Sequence, residues 1–197
     1  MDMIRKSAHP VDPLFTNRWS PRAFDAQPMP EEDILSMLEA ARWAPSAYNI
    51  QPWRFVYIQR EDSQWPDYVG LLDEFNAAWA KEASALIFLL SDKLVDREGE
   101  TEPRPSNYHS FDAGAAWAQL ALQATQMGYS AHAMAGVLFD KAQAQLNAPD
   151  RFKLEIAIAV GKRSDPSDLP KHLQQMESPS QRKDFDEIAF KKGLPNV

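Results

Sequence analysis

The chain has 197 residues, 44% hydrophobic and 25% charged, which is enough for one globular domain, residues 1–197, with a sizeable core. A net charge of −7 argues against non-specific nucleic-acid binding, which needs clustered Lys and Arg, but leaves room for a local basic pocket around one phosphate. The absence of cysteine removes disulfides, thiolate metal sites, cysteine nucleophiles and thiol relays, and it suits a reducing cytoplasm, the expected location.

Residues 1–13 read as an irregular arm or a short helical start. Pro10 and Pro13 oppose long regular structure, and no apolar stretch follows Arg5 and Lys6, so no secretory signal is expected. An arginine-rich turn, Arg18 to Arg22, comes next. Pro28 to Asp33 opens a helix whose acidic first turn suits the helix dipole. Ile34, Met37, Leu38 and Ala41 continue it at helical spacing, and Pro45 ends it. Trp53 to Ile58 reads as a strand and Tyr68 to Trp79 as one helix. Ala83 to Leu90, the longest apolar run, is too short to span a bilayer and reads as a buried strand; no membrane contact is expected.

Asp92 to Asn107, charged and holding Pro103 and Pro105, predicts a long loop. Phe111 to Met127 is a long helix stopped by Gly128. With almost no polar face, it is either the central helix, buried on nearly all sides, or a helix with one face against a partner subunit. Asp140 to Leu146 begins a short helix and Lys153 to Val160 a strand. Ser164 to Pro179 reads as an extended, linker-like excursion, and Phe185, Ile188 and Phe190 give the tail enough apolar surface to dock. Helices alternating with strands predict an α+β or three-layer α/β/α domain.

The four histidines, His9, His109, His132 and His172, form no metal-ligand spacing, so no metal is expected, and His109 and His132 read as surface or packing residues. No serine sits in a G-x-S-x-G elbow. Gly70, Gly99 and Gly114 are isolated, which leaves no dinucleotide or P-loop fingerprint. Arg18, Ser20 and Arg22 are different: two guanidiniums and a hydroxyl on a proline-stiffened turn are able to converge on a phosphate. The other reading is a solvated basic turn paired with Asp12, Asp25 or Glu31. Between the first long helix and the strand after it, Ala44 to Trp53 mixes small, polar and proline residues, either a shaped binding loop or an ordinary connection with an Asx turn.

Together, Asn17-Arg18-Trp19-Ser20-Pro21-Arg22-Ala23-Phe24 and Ala41-Arg42-Trp43-Ala44-Pro45-Ser46-Ala47-Tyr48-Asn49-Ile50-Gln51-Pro52-Trp53-Arg54-Phe55 resemble the opening of the nitroreductase family. Lys81-Glu82-Ala83-Ser84, the segments Gln123 to Gly128 and His132 to Gly136, and Ser180 to Asp184 resemble its later parts. Asp92 to Ser106 and Ser164 to Pro179 match nothing in it.

The resemblance implies a three-layer FMN-binding fold around a mostly antiparallel sheet. It also implies a homodimer with flavin sites at the subunit interface, and an oxidoreductase using NADH or NADPH on an electron-poor acceptor such as a nitroaromatic, quinone or enone. Carried over by position, Arg18, Ser20 and Arg22 would hold the FMN phosphate and ribityl chain, with backbone from Trp19 and a further guanidinium from Arg182. Asn76 would bond the pyrimidine side of the ring, and Met134, Ala135 and Gly136 would lie along it. Pro45, Ser46, Ala47 and Asn49 would reach in from the partner, with Gln51 bracing their loop. No catalytic side chain is needed, since the flavin carries the chemistry. Where many members have a lysine after the asparagine at Asn76, this chain has Trp79. A flavin carrier or redox sensor without turnover is the alternative.

Overall fold

The computed structural model of the protein describes residues 5–96 and 98–195. The first four residues of the predicted arm and Arg97 in the predicted loop lie outside them. The centre is a four-stranded sheet in the order β1-β2-β6-β5, formed by β1 (Trp53–Gln59), β2 (Ala85–Asp92), β5 (Ser130–Met134) and β6 (Phe152–Gly161). Each neighbouring pair is antiparallel. Two short strands, β3 (Leu94–Val95) and β4 (Arg104–Pro105), make a separate ribbon.

Strand alternation divides the core into two layers. Leu86, Phe88 and Leu90 of β2 and Ala157 and Ala159 of β6 face a cluster with Trp65, Leu71, Trp79, Ala142 and Leu173. Those residues come from or flank α3 (Trp65–Val69), α4 (Glu74–Ala80), α6 (Phe139–Gln145) and α7 (Lys171–Gln174). Ala85, Ile87, Leu89, Ile158 and Val160 face the other way, onto Ile34, Met37, Ala116 and Leu120 of α2 (Glu31–Arg42) and α5 (His109–Gln126). A further short helix, α1 (Pro13–Asn17), precedes the arginine turn. Every residue of β2 is buried, because helices cover both of its faces. This is the expected α+β, three-layer arrangement.

Several elements differ from the sequence reading. Tyr68 to Trp79 is two helices, because the chain bends at Gly70 to Leu72 and Asp73 starts a new one, its side chain accepting the Asn76 N–H. A helical pattern is indifferent to such a break when a good N-cap lies inside it. His132 to Met134, given no element in the sequence reading, is part of an edge strand. The predicted 92–107 loop carries the β3–β4 ribbon.

The 164–179 excursion is anchored, with Leu169 and Leu173 buried. Helix α5 is not buried all round. Asp112, Ala113, Ala116, Leu120, Ala121 and Ala124 face inward, whereas Phe111 is 78% exposed. The expectation of burial on nearly all sides therefore does not hold on this chain. Phe185, Ile188 and Phe190 are exposed on this chain; the tail's aromatic contact is Phe185 edge-on to His9, centroids 4.7 Å apart.

Candidate functional site

The arginine turn follows α1, whose start is capped by the Asp12 side chain accepting the Leu14 N–H. Beyond it, Asp25 N–H donates to the Lys162 carbonyl and Ser164 N–H to the Ala23 carbonyl, which ties the turn's exit to the end of β6. One carboxylate shapes the turn from inside. Glu177 Oε1 accepts the N–H groups of Arg22 and Ala23 at 2.8 and 2.9 Å. Glu177 lies in the segment that matched nothing known, and no pattern in the sequence marks it.

The three carboxylates that a solvated basic turn would need are engaged elsewhere. Asp12 caps α1, Asp25 accepts from Gln27 N–H and Glu31 accepts from the Tyr57 hydroxyl. Among the described residues no acidic side chain forms an ion pair with Arg18, Arg22 or Arg182. Arg18 Nη1 donates to Ser20 Oγ at 3.2 Å. Burial lowers the Arg18 pKa, and the nearby positive charges of Arg182 and Arg5 lower it further. The charge of Arg182, from the far end of the chain, thus acts on Arg18. Arg22 Nε is buried without a partner, its guanidinium 6.0 Å from the Trp79 ring. Unbalanced, partly buried guanidiniums are costly on their own, and their arrangement suits an anion.

Trp79 is 1% exposed. It stacks on Phe24 with centroids 6.3 Å apart and lies 4.6 Å from the His132 ring, so it floors the turn and brings no cation. His132 was expected at the surface or in ordinary packing. It is a packing residue against Trp79 that also hydrogen-bonds the Pro21 carbonyl through Nδ1 at 2.8 Å. Since a carbonyl only accepts, Nδ1 carries the proton. Burial is the chief cause of a pKa lowered to about 4; the Pro21 bond opposes this, while Arg22 and Arg18 add to it. His132 is a neutral prop under the turn, and its place on an unrecognised edge strand hid it.

Asn76 and Gly136 are brought together. Asp73 N–H donates to the Gly136 carbonyl at 3.0 Å, and Asn76 Nδ2 reaches the same oxygen at a long 3.5 Å. A Cβ on Gly136 would collide with the Asp73 carboxylate and the Asn76 amide, so only glycine permits this approach. Ala135 is exposed while Met134 is buried. Among the described residues the N–H groups of Ala135 and Gly136 donate to no protein acceptor.

The loop after α2 is a third part. Tyr48, Asn49 and Gln51 all have positive φ, 51°, 57° and 53°, a conformation costing roughly 1–3 kcal/mol per non-glycine residue. It is held by Ser46 Oγ accepting the Gln51 N–H at 3.0 Å. The buried Asp112 of α5 accepts the Ala47 N–H at 3.1 Å. Gln51 Nε2 donates to the Asn49 carbonyl, the bracing role expected of it. Tyr48 is 89% exposed. Among the described residues no hydrogen bond or ion pair joins Pro45, Ser46, Ala47 or Asn49 to the arginine turn. A cleft of about 710 Å³ borders the turn, with Arg5, Asn17, Trp19, Tyr129 and Arg163 in its wall. No helix among the described residues is long and apolar enough to cross a membrane, and no group of histidines and carboxylates there could hold a metal.

The chain belongs to the nitroreductase family, whose model matches residues 15–76 and 62–162. It is 49% identical to a solved oxidoreductase containing FMN, with a TM-score of 0.95 over 98% of this chain and 97% of that one. An uncharacterized 15.4 kDa protein of Mycolicibacterium smegmatis is 35% identical over 130 residues, 66% of this chain and 83% of its own. A nitroreductase family protein from Streptococcus pneumoniae, 24% identical, shares the fold at a TM-score of 0.73 over 91% of this chain and 98% of its own.

Two outcomes follow from this geometry. Gly136→Ala should cost about 1–3 kcal/mol by overpacking and disturb the Asn76 amide, measured by urea unfolding and by the Asn76 side-chain resonances; an unshifted midpoint would show that the approach is not tight. His132, with its folded pKa below the unfolded value near 6.5, binds fewer protons folded than unfolded. Its contribution is complete above about pH 6.5 and is lost as pH falls toward 4. His132→Gln should therefore flatten the pH dependence of stability between pH 6.5 and 4, and an unchanged slope would contradict the neutral prop.

Proposed function

We propose that this chain is an FMN-dependent oxidoreductase that takes hydride from NADH or NADPH and reduces an electron-poor acceptor, a nitroaromatic, quinone or enone, as a homodimer with its flavin sites between subunits. The observation that carries this reading is the set of arginines at the turn that have no acidic ion-pair partner among the described residues. A phosphate monoester bears about two negative charges near neutral pH, and Arg18 and Arg182, with Arg22 beside them, match it by paired donors. The resemblance of the whole chain at 49% identity to an oxidoreductase containing FMN supports the same cofactor.

Arg18, Ser20, Arg22 and Arg182 would hold the phosphate and ribityl chain, with the Trp19 backbone beside them. Asn76 would meet the pyrimidine edge, kept in place by Asp73 and the absent side chain of Gly136. The free N–H groups of Ala135 and Gly136 suit the polar edge of the ring, with Met134 packed behind them. When bound, FMN would supply the redox chemistry, passing two electrons from the nicotinamide to the acceptor. The chain's own part is to bind and orient the ring and to limit its exposure to water. Pro45, Ser46, Ala47 and Asn49 form a preset surface without a hydrogen bond or ion pair to this chain's own turn among the described residues, which fits their reaching a partner's flavin. The exposed tail and the free face of α5 offer apolar surface for that partner.

Purified protein should be yellow with a flavin absorbance band that bleaches when NADH or NADPH is added without oxygen and returns on adding a quinone. A colourless protein that takes up no added FMN would overturn the reading. A flavin that resists both nicotinamides would favour the carrier or sensor.

A further inference from the structure

The arginine turn receives a guanidinium that the family resemblance does not supply. Arg5, from the N-terminal arm, donates through Nη2 to the Arg18 main-chain carbonyl at 2.7 Å. This bond joins the arm to the turn, and the edge of His9 against Phe185 joins it to the tail. Phe185 lies three residues beyond Arg182, so the arm and the tail meet beside the turn and each brings an arginine to it. Burial lowers the Arg5 pKa and the charge of Arg182 lowers it further; both also act on Arg18. Among the described residues Arg5 has no acidic side chain within ion-pairing distance. Arg5 is half-buried and is among the residues lining the cleft that borders the turn.

Three guanidiniums drawn from the start, the turn and the tail of an acidic chain repel one another unless an anion lies among them. We propose that Arg5 is a further phosphate-binding arginine beside Arg18, Arg22 and Arg182, placed by the Arg18 carbonyl so that a single phosphate monoester ties the N-terminal arm and the C-terminal tail to the turn. This rests on the flavin reading above and names a ligand within it. A guanidinium that spends one donor on a carbonyl keeps others for an oxyanion, so its two bonds do not compete.

The test compares FMN with riboflavin, which lacks only the phosphate, by flavin fluorescence on full-length protein freed of cofactor. The proteins are wild type, Arg5→Gln, Arg5→Lys and Arg18→Gln. Arg5→Gln should weaken FMN by about tenfold or more, the worth of a charge-assisted hydrogen bond, and leave riboflavin unchanged. Arg5→Lys should keep much of the FMN preference, and the salt dependence of FMN binding should be shallower in Arg5→Gln. If Arg5→Gln keeps the full preference while Arg18→Gln loses it, Arg5 is no ligand although the flavin reading stands. Equal loss of FMN and riboflavin in Arg5→Gln would mean that it only supports the turn, which also overturns the proposal. A wild type that binds neither flavin would remove the flavin reading and this inference together.

Discussion

Positive charge gathered on one turn without a balancing acid is the constraint around which the rest of the site is arranged. The chain carries seven more acidic than basic charges, yet Asp12, Asp25 and Glu31 are spent on a helix cap, a local turn and a tyrosine. Glu177 does approach, but among the described residues it takes main-chain N–H groups and so fixes the turn's shape without joining an ion pair there. His132 is kept neutral beneath it, adding no further charge to a cluster already crowded with it. Trp79 and Phe24 close the floor with aromatic surface. The cluster is stable in such surroundings when an anion completes it.

The other parts answer to a flat ligand. Gly136 lets Asp73 and Asn76 approach the backbone at the end of β5, and unpaired N–H groups follow from that bend. The Pro45 to Gln51 loop holds strained dihedrals through bonds to Ser46 and the buried Asp112, a rigidity that an ordinary connection does not need. Among the described residues no hydrogen bond or ion pair joins it to the turn of the same chain, which accords with the proposal that it serves a partner's site.

Local motif and periodicity made much of this legible. The long helices, the two central strands and the alternation that builds three layers follow from apolar spacing. The turn stood out because Arg, Ser and Arg lie within five residues. What could not be read was set by contacts distant in sequence. His132 sits 111 positions from Pro21 and Glu177 155 positions from Arg22, and neither lies in a distinctive pattern. Strand β5 is short, and its alternation of Ala and His is too weak to separate it from a loop. The break between α3 and α4 turns on Asp73 acting as a cap, which a count of apolar positions passes over. Arg5 looked like an arm residue because its role depends on a carbonyl across the turn.

The central claim is that the arginine turn grips a phosphate dianion. The phosphorus resonance of FMN bound to the native protein, followed from pH 7.5 to 5.5, tests it most directly. In free FMN this resonance moves as the phosphate takes up a proton near pH 6, about where a phosphate monoester has its second pKa. Held among the arginines, the phosphate should stay dianionic and its resonance should stay put across the range. A bound resonance that moves as that of free FMN does would contradict the account.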